Sequence, residues 1–462
     1  TGPNFRPRPT VDEMFGYIPI RDKSGDDGDK SRDGHATAAQ WPDRIYNFKT
    51  GAKNTAIPIG MPEILGQLRG IPLATCAGSL FYHEAGQETV TMLSSAAQMI
   101  ALLRQFCAVD WRSGSGSFTT KEELYEAIRQ TAKQYDSLEA VPHFPPVKGA
   151  YYLREFDGSD AGTAELNRLL DMFRPETPAD RQLMLAAITT AFWGGPGGIR
   201  PMFVVTSEDG VGSGKTTFCK VVAAIAGLGA GRSFQIRTKS EFEDLPRKMG
   251  SVSPTAPCSR RQILVDNFKG AMLGAADIES MLTEETLSVW KLYHGEVDVP
   301  NRYSWFVTGN FLDLSEDLAS RAVEIKILKP EYDADWDALL GGINMELVVE
   351  GIAAFFAREP ETPSLVTRFP LWCRGILGRI CGPSEAAHLV DLILARSAEL
   401  SVEEEDGAEF IEMLERWLSA TTPEVIHGKI LVRANDVVRW LDSAKEVNPA
   451  GRRWSARSLG RE

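Results

Sequence analysis

The segment from residue 201 to residue 217 constrains this chain more than any other. It opens with an uninterrupted apolar run, PMFVVTS, which is flanked by turn residues and is typical of a buried strand. The glycine-rich stretch DGVGSGKTT follows at residues 209–217, and TTFCKVVAAIAG then has the composition of a helix. A strand, a glycine-rich loop and a helix in this order predict a loop whose backbone N–H groups surround an anion.

The loop matches the phosphate-loop pattern G-x-x-x-x-G-K-[ST] at its last three positions, whereas Asp209 occupies the first glycine position. Lys215 is expected to reach the β- and γ-phosphates of a nucleotide, and Thr216 to hold Mg²⁺. The positive N-terminal end of the following helix faces the same phosphates. We therefore predict that ATP and Mg²⁺ are bound by Gly210, Val211, Gly212, Ser213, Gly214, Lys215, Thr216 and Thr217.

A second apolar run ends in a carboxylate 51 residues after Lys215, where QILV is followed by Asp266 and Asn267. This is the position of a Walker B aspartate, so Asp266 is predicted to orient Mg²⁺ and its waters. A second acid, which polarises the attacking water, usually follows. Asn267 stands there instead and cannot act as a base, which leaves the hydrolysis rate open.

A third strand, YSWFVT, ends in Gly309 and Asn310. A polar residue at such a strand tip can hydrogen-bond the γ-phosphate or the lytic water, so Asn310 is predicted to act as sensor 1. Arg321 comes 11 residues later and directly precedes another apolar strand. An arginine there can reach the nucleotide of a neighbouring subunit as an arginine finger.

The motifs GKT at 214–216, Asp266, TGN at 308–310 and DLxxR at 317–321 together resemble the AAA+ core of superfamily-3 helicases, especially the phage and poxvirus primase–helicase type. The resemblance covers roughly residues 160–345. It implies an α/β fold with an AAA+ P-loop ATPase core, a preceding mixed or helical domain, and a helical C-terminal region that could include a winged helix. The departures are Asp209 and Asn267.

This resemblance further implies a homo-oligomer, a hexameric ring, that hydrolyses Mg-ATP at its subunit interfaces. Such a ring would move on single-stranded DNA as a 3′–5′ helicase in the replication of a mobile element, such as a phage or plasmid. An upstream primase or polymerase domain is the partner that the family suggests.

A hairpin between Asp266 and Asn310 is the predicted contact with nucleic acid. His294-Gly295 reads as a turn between two short alternating strands. In superfamily-3 helicases a hairpin in this interval enters the central pore and carries basic residues. Lys291 and His294 resemble those residues in type, and a ring of such hairpins would concentrate positive charge around one strand.

The length of 462 residues predicts about three domains. We predict a linker from a missing upstream domain at 1–40, a mixed or helical domain at 41–160, the ATPase core with a preceding helical collar at 161–345, and a helical region at 346–462. The start of the chain, without Met, suggests a longer product. Its C-terminal basic residues, interleaved with tryptophans, could form a truncated winged helix.

The net charge of −13 excludes a uniformly basic nucleic-acid binder but permits a few local basic contacts. No apolar run is long enough to span a membrane, so no membrane partner is predicted. The six cysteines include no C-x-x-C pair, which argues against a zinc module and a disulfide scaffold and favours a reducing cytoplasm.

Two other functions stay open. Asn267 is compatible with an ATP-dependent switch or assembly factor that hydrolyses slowly. The aromatic residues Trp290 and Tyr293 beside the hairpin turn are compatible with a ring that remodels proteins.

Overall fold

The computed structural model describes residues 41–84, 87, 89–114, 117–210, 212–229, 231–252, 260–267, 275–291, 295–309, 314–330, 336–360, 367–400, 424–426 and 429–431. The chain divides into two compact units. The first comprises the described residues up to Phe156 together with Val252, and the second those from Asp157 to Ser251 and from Arg260 on. The predicted linker at 1–40 lies outside the described residues, as does most of the basic tail. The predicted domain boundaries stay predictions.

The first unit is a mixed α/β unit built on a small sheet. Its strands are β1 (Arg44–Tyr46), β2 (Phe48–Thr50), β3 (Ala56–Pro58), β4 (Leu73–Cys76), β5 (Ser79–Tyr82), β6 (Thr91–Leu93), β7 (Ala108–Asp110), β8 (Lys133–Tyr135), β9 (Ser137–Glu139) and β10 (Ala150–Tyr152). Its helices are α1 (Met61–Gln67), α2 (Ala96–Phe106) and α3 (Lys121–Thr131), with a 3₁₀ turn at Ala52–Asn54. The sheet order is β6-β5-β4-β8, with β4 antiparallel to β5 and parallel to β8.

Two helices of this unit begin at residues whose side chains cap them. The Ser95 side chain accepts a hydrogen bond from the backbone N–H of Gln98 and caps α2. In α3, Thr120 and Glu123 form a complete capping box, in which each side chain accepts from the other residue's backbone N–H. The apolar spacing places Met99 and Leu103 in the core of the unit.

The second unit contains the predicted phosphate loop. Its strands are β11 (Arg174–Pro175), β12 (Met202–Thr206), β13 (Ser233–Ile236), β14 (Gln262–Val265), β15 (Thr286–Lys291), β16 (Gly295–Pro300), β17 (Ser304–Thr308), β18 (Ala322–Leu328), β19 (Glu424–Ile426) and β20 (Lys429–Leu431). Its helices are α4 (Asp160–Met172), α5 (Pro178–Thr190), α6 (Lys215–Ile225), α7 (Lys239–Glu243), α8 (Leu245–Gly250), α9 (Ala275–Thr283), α10 (Glu316–Ala319), α11 (Trp336–Gly341), α12 (Met345–Ala357), α13 (Pro370–Trp372), α14 (Gly378–Ile380) and α15 (Pro383–Leu400). A π-helical turn at Cys373–Leu377 joins α13 to α14.

The main sheet has the order β11-β18-β12-β17-β14-β13. Strands β18, β12, β17, β14 and β13 are all parallel, and β11 joins the edge antiparallel to β18. A parallel sheet is covered on both faces, which explains why β12, β14 and β17 are continuous apolar runs whose residues are all buried. Because the strands are parallel, the loops after β12, β14 and β17 meet at one carboxyl edge.

A buried polar network connects three elements of this unit. The Arg396 guanidinium of α15 donates to both carboxylate oxygens of Asp180 in α5, at 2.5 and 3.0 Å. Asp180 also accepts from the Thr177 hydroxyl at 2.6 Å and from the Lys326 backbone N–H of β18 at 2.8 Å. Burial opposes ionisation of Asp180, but these hydrogen bonds outweigh it and hold its pKa below the ordinary value.

The same network reaches the strand that precedes the phosphate loop. Arg396 also donates to the backbone carbonyl of Glu324 at 3.1 Å. The Glu324 side chain, buried in β18, accepts from the hydroxyl of Thr206 at 2.7 Å. Thr206 is the last residue of β12. The position of this strand end is therefore fixed by side chains from β18 and, through them, by α15.

Within the described part of the chain, no helix is both long and apolar enough to cross a membrane.

Candidate functional site

The loop between β12 and α6 turns sharply at three glycines. Gly210, Gly212 and Gly214 have φ angles of 74°, 87° and 87°, a region that residues with a Cβ atom rarely adopt. Gly214 is also the N-cap of α6, so the free N–H groups of the first turn of that helix follow it directly. Val211 lies outside the described residues. The observed strand, loop and helix follow the order that the sequence predicts.

Lys215 lies over this loop. Its ammonium group donates to the Gly210 carbonyl at 2.8 Å and to the Ser213 hydroxyl at 2.9 Å. Partial burial lowers its pKa. Both acceptors are neutral, so the positive charge of Lys215 is not neutralised by them and can attract a phosphate. Thr217, the last residue of the predicted loop, is half-buried in the first turn of α6.

Asp209, which replaces the first glycine of the pattern, has a structural partner. Its carboxylate accepts a hydrogen bond of 2.6 Å from the backbone N–H of Lys329, in the segment that follows β18. The start of the loop is thereby tied to the end of the neighbouring strand. This contact gives a physical reason for an aspartate where the pattern has glycine.

Asp266 lies at the carboxyl edge beside the phosphate loop. Its Oδ1 atom accepts from the Thr216 hydroxyl at 2.7 Å and from the Thr308 hydroxyl at 3.0 Å. Thr308 is the last residue of β17, the strand between β12 and β14. The structure thus brings the predicted loop threonine and the predicted Walker B aspartate into direct contact.

A cation also faces Asp266. The Arg237 guanidinium, in the turn after β13, lies 3.5 Å from Asp266 Oδ2. The Arg237 side chain is 58% exposed, whereas that of Asp266 is 13% exposed. The two oxygens of this carboxylate therefore have different partners, with hydroxyl groups at Oδ1 and a guanidinium at Oδ2.

Asn267 occupies a special backbone position. Its φ angle is 57°, in the left-handed region that asparagine tolerates better than most residues. Its backbone N–H donates to the Thr308 hydroxyl at 3.0 Å, and its side chain is exposed. The turn after β14 therefore gives a conformational reason for asparagine at this position, separate from any role in hydrolysis.

The oxygen atoms at this edge suit a magnesium nucleotide. Mg²⁺ prefers oxygen ligands and usually combines one or two protein groups with water and phosphate oxygens. Thr216 and Asp266 supply a hydroxyl and a carboxylate in contact with each other. No group of three or more His, Cys, Asp or Glu side chains suited to a metal occurs among the residues that the structure describes. A cation held mainly by nucleotide phosphates does not require one.

Among the described residues, one predicted catalytic residue, Arg321, is not part of this cluster. Asn310 lies outside the described residues. Arg321 directly precedes β18 and so lies at the amino edge of the sheet, opposite the phosphate loop. Its side chain is 14% exposed, and its nearest described carboxylate is Asp317 at 4.0 Å. Its Nη1 atom is buried and has no hydrogen-bond partner among the described residues.

The predicted hairpin is present. Strands β15 and β16 pair antiparallel with Lys291 opposite Gly295, and His294 lies outside the described residues. Lys291 is half-buried and lies on the same face of β15 as the buried Leu287 and Val289. Gly250 of α8 packs closely on this hairpin, since a Cβ atom there would lie 2.0 Å from the Trp290 carbonyl oxygen.

The opposite face of the hairpin is aromatic and acidic. Trp290 is 56% exposed, and its cross-strand partner is Glu296. Asp298 is exposed on the same strand. This face would repel phosphate groups, so a basic contact with nucleic acid would have to come from Lys291 and the turn.

The sequence motifs predict no role for Arg237 or for the hydroxyl of Thr308. A signal was available for both, because each stands at the C-terminal end of a strand. Their contact with Asp266 depends on the order of strands in the sheet, which the local sequence does not give.

No protein-family model matches the chain, and no curated protein matches it. Among solved structures, the chain is similar to an apo structure of the NrS-1 C-terminal region, with 10% identity, a TM-score of 0.39, and coverage of 84% of this chain and 86% of that one. A structure of NrS-1 residues 305–718 aligns at 11% identity and a TM-score of 0.36, over 72% and 74% of the two chains. A ligand-bound JCV helicase aligns at 13% identity and a TM-score of 0.29, over 54% and 62%. TM-scores this low do not establish a shared fold, so the function is inferred from the residues of this chain.

Proposed function

We propose that this protein is a P-loop ATPase that binds Mg-ATP at the carboxyl edge of the sheet in its second unit. The contact between Thr216 and Asp266 carries the proposal, because it joins the glycine-rich loop to a carboxylate 50 residues away. A glycine-rich turn alone is common in proteins. A turn of this kind with a lysine, a threonine and a facing aspartate has the groups that a magnesium nucleotide needs.

Each group of the site would have a separate role in binding or hydrolysing Mg-ATP. The backbone N–H groups of the loop and of the first turn of α6 would surround the phosphates. Lys215 would leave its neutral acceptors and contact the β- and γ-phosphates. Thr216 and Asp266 would hold the cation, and Mg²⁺ would neutralise the charge that develops on the phosphate oxygens. The hydroxyl of Thr308 would keep Asp266 in position, and Asn310 would contact the γ-phosphate or the lytic water.

Arg321 would act on the nucleotide of a neighbouring subunit. Strand β12 has five residues, so the two edges of the sheet are about 16 Å apart. That distance is beyond the reach of an arginine side chain, and a contact between Arg321 and the nucleotide of its own chain is therefore excluded. A ring of subunits, which we propose to be a hexamer, would place this arginine beside the next phosphate loop.

Hydrolysis of ATP would drive movement of the protein on single-stranded DNA. The hairpin of β15 and β16 follows Asp266 in the chain and packs on α8, which itself follows Arg237 and α7. A change at the nucleotide could therefore reach the hairpin along the chain from Asp266 or through α8. Lys291 and His294 would contact the phosphates of the strand. The motif resemblance to superfamily-3 helicases supports this choice, and a helicase of mobile-element replication is the specific form that we propose.

A switch or assembly factor with slow hydrolysis is the second candidate. The exposed amide of Asn267 in place of an acid favours it, because no base directly follows Asp266. The exposed Trp290 favours a protein-remodelling ring as a third candidate, since an aromatic side chain in the pore of such a ring commonly contacts the polypeptide.

Steady-state ATPase activity with and without single-stranded DNA, and with an unfolded protein in its place, separates the three functions. A helicase predicts stimulation by DNA, a remodelling ring predicts stimulation by polypeptide, and a switch predicts slow hydrolysis with neither. Lys215→Ala is the control for contaminating ATPases. DNA that leaves the rate unchanged would contradict the helicase proposal.

A further inference from the structure

Arg237 lies beside Asp266 because of the register of the sheet. Strands β13 and β14 pair in parallel with Ile236 opposite Val265, and the backbone N–H of Asp266 donates to the Ile236 carbonyl at 3.0 Å. The next residue of each strand is therefore a neighbour at the carboxyl edge. One of these residues is Asp266 and the other is Arg237.

The backbone of Arg237 is fixed, but its side chain is held weakly. Its backbone N–H donates to the Glu241 carboxylate at 2.6 Å, and the Glu241 N–H donates to the Thr238 hydroxyl, which caps α7. Among the described residues, the guanidinium makes only long contacts, at 3.4 Å to Gln235 and 3.5 Å to Asp266. Since the side chain is 58% exposed, it can turn into solvent without any movement of the strand or of α7.

We propose that Arg237 is the resident counter-cation of Asp266 in the nucleotide-free protein, and that it competes with the divalent cation for this carboxylate. The inference depends on the proposed function, because it treats Asp266 as a metal-holding residue. It adds a residue that sets how tightly the cation binds and that is separate from the loop, from Asn310 and from Arg321.

The competition follows from charge. A guanidinium 3.5 Å from Oδ2 reduces the negative potential that attracts a divalent cation, and it also repels that cation. When the magnesium nucleotide binds, the guanidinium has to leave Oδ2. The Thr216 and Thr308 hydroxyls can keep their contacts with Oδ1, so the position of the carboxylate is preserved.

The expected effect is small because the guanidinium is well exposed. Pairs with an exposed partner change equilibria by a modest amount, so removing the positive charge should tighten cation binding about two- to fivefold. Screening by salt should reduce that difference, since the Debye length falls from about 30 Å at 0.01 M to about 3 Å at 1 M.

The test uses Mn²⁺, an oxygen-binding cation whose free concentration is measured by electron paramagnetic resonance. Mn²⁺ is titrated into the full chain with a non-hydrolysable ATP analogue, at low and at high salt, and a titration of the analogue alone is subtracted because the analogue itself binds Mn²⁺. The variants are Arg237→Gln, which removes the charge, and Arg237→Lys, which keeps it. The matched control is Arg232→Gln, because Arg232 is also exposed but precedes β13, at the opposite end of the strand, where it contacts the Gly231 carbonyl.

We expect Arg237→Gln to bind Mn²⁺ two- to fivefold more tightly than the parent at low salt, with little difference at high salt. Arg237→Lys and Arg232→Gln should match the parent. Equal or weaker binding by Arg237→Gln, while the parent binds the analogue normally, would overturn the competition and leave the proposed function intact. A parent that binds Mn²⁺ no better than Lys215→Ala would overturn both.

Discussion

Replacing Arg396 with methionine should destabilise the second unit strongly, because the buried Asp180 carboxylate loses its guanidinium partner. Asp180 is fully buried and Arg396 is 6% exposed, so neither charge has water as an alternative partner. The change removes the two guanidinium contacts and leaves a buried carboxylate with only the Thr177 hydroxyl and the Lys326 N–H. Removal of one partner from a buried pair costs about 3–5 kcal/mol of the free energy of unfolding.

The double variant separates the loss of the pair from the cost of an unpaired charge. Arg396→Met with Asp180→Asn removes both charges of this buried pair, so it should recover a large part of the loss at neutral pH. The measurement is denaturant unfolding with hydrogen-exchange labelling read at the β18 amides, because two compact units need not unfold in one transition.

The pH dependence of stability gives an independent check on how the Arg396–Asp180 pair contributes. The folded-state pKa of Asp180 is lowered in the parent, so its contribution is present above the unfolded value of about 3.9 and is lost as pH falls through the folded pKa. In Arg396→Met, burial without the guanidinium should raise that pKa. As pH falls, Asp180 of the variant is therefore protonated before Asp180 of the parent, and the cost of its unpaired charge disappears. The stability gap should therefore narrow as pH falls. A gap below about 1 kcal/mol at pH 7, or one that widens in acid, would refute the account of this pair.

Three further predictions concern the site and the proposed ring. Thr308→Val removes the hydroxyl that donates to Asp266 and accepts from the Asn267 N–H. We expect the free energy of unfolding to fall by about 1–3 kcal/mol and Mg²⁺-dependent hydrolysis to weaken. Parental values for both would contradict this role of Thr308. Mixed rings of Arg321→Ala and Lys215→Ala subunits should regain ATPase activity that neither variant has alone, and no recovery in assembled mixtures would argue against action between subunits. Changing Lys291 and His294 to alanine should weaken single-strand binding and lower its log–log salt slope by about 0.7 per lost phosphate contact, with ATP affinity unchanged; unchanged binding and unwinding would remove the hairpin from the mechanism.

The elements that hold the loop were predictable because their signals are local. The strand before the loop is mostly apolar, the loop is rich in glycine, and Thr177 followed by Pro178 is a local signal for the start of α5. Each of these features depends on residues within a few positions of one another, so burial patterns and backbone preferences suffice to find them.

The contacts that hold the second unit and its candidate site together were less predictable because they join distant segments. The Arg396–Asp180 pair spans 216 residues, and the Thr308–Asp266 hydrogen bond spans 42. Arg237 meets Asp266 only through the register of β13 and β14. Asn267 shows a different limit, since the sequence indicates a missing acid while the structure shows a backbone turn with a φ angle of 57°.

Equilibrium binding of ATP with and without Mg²⁺ tests the central claim most directly. Lys215→Ala is the decisive variant, and Lys220→Ala is its matched control, because Lys220 is exposed on the same helix. We predict Mg²⁺-enhanced binding by the parent and by Lys220→Ala. Lys215→Ala should bind about ten- to a hundredfold more weakly, which corresponds to the loss of charged hydrogen bonds to the phosphates. Binding by Lys215→Ala at the parental affinity, or no ATP binding by the parent, would contradict the assignment of this loop.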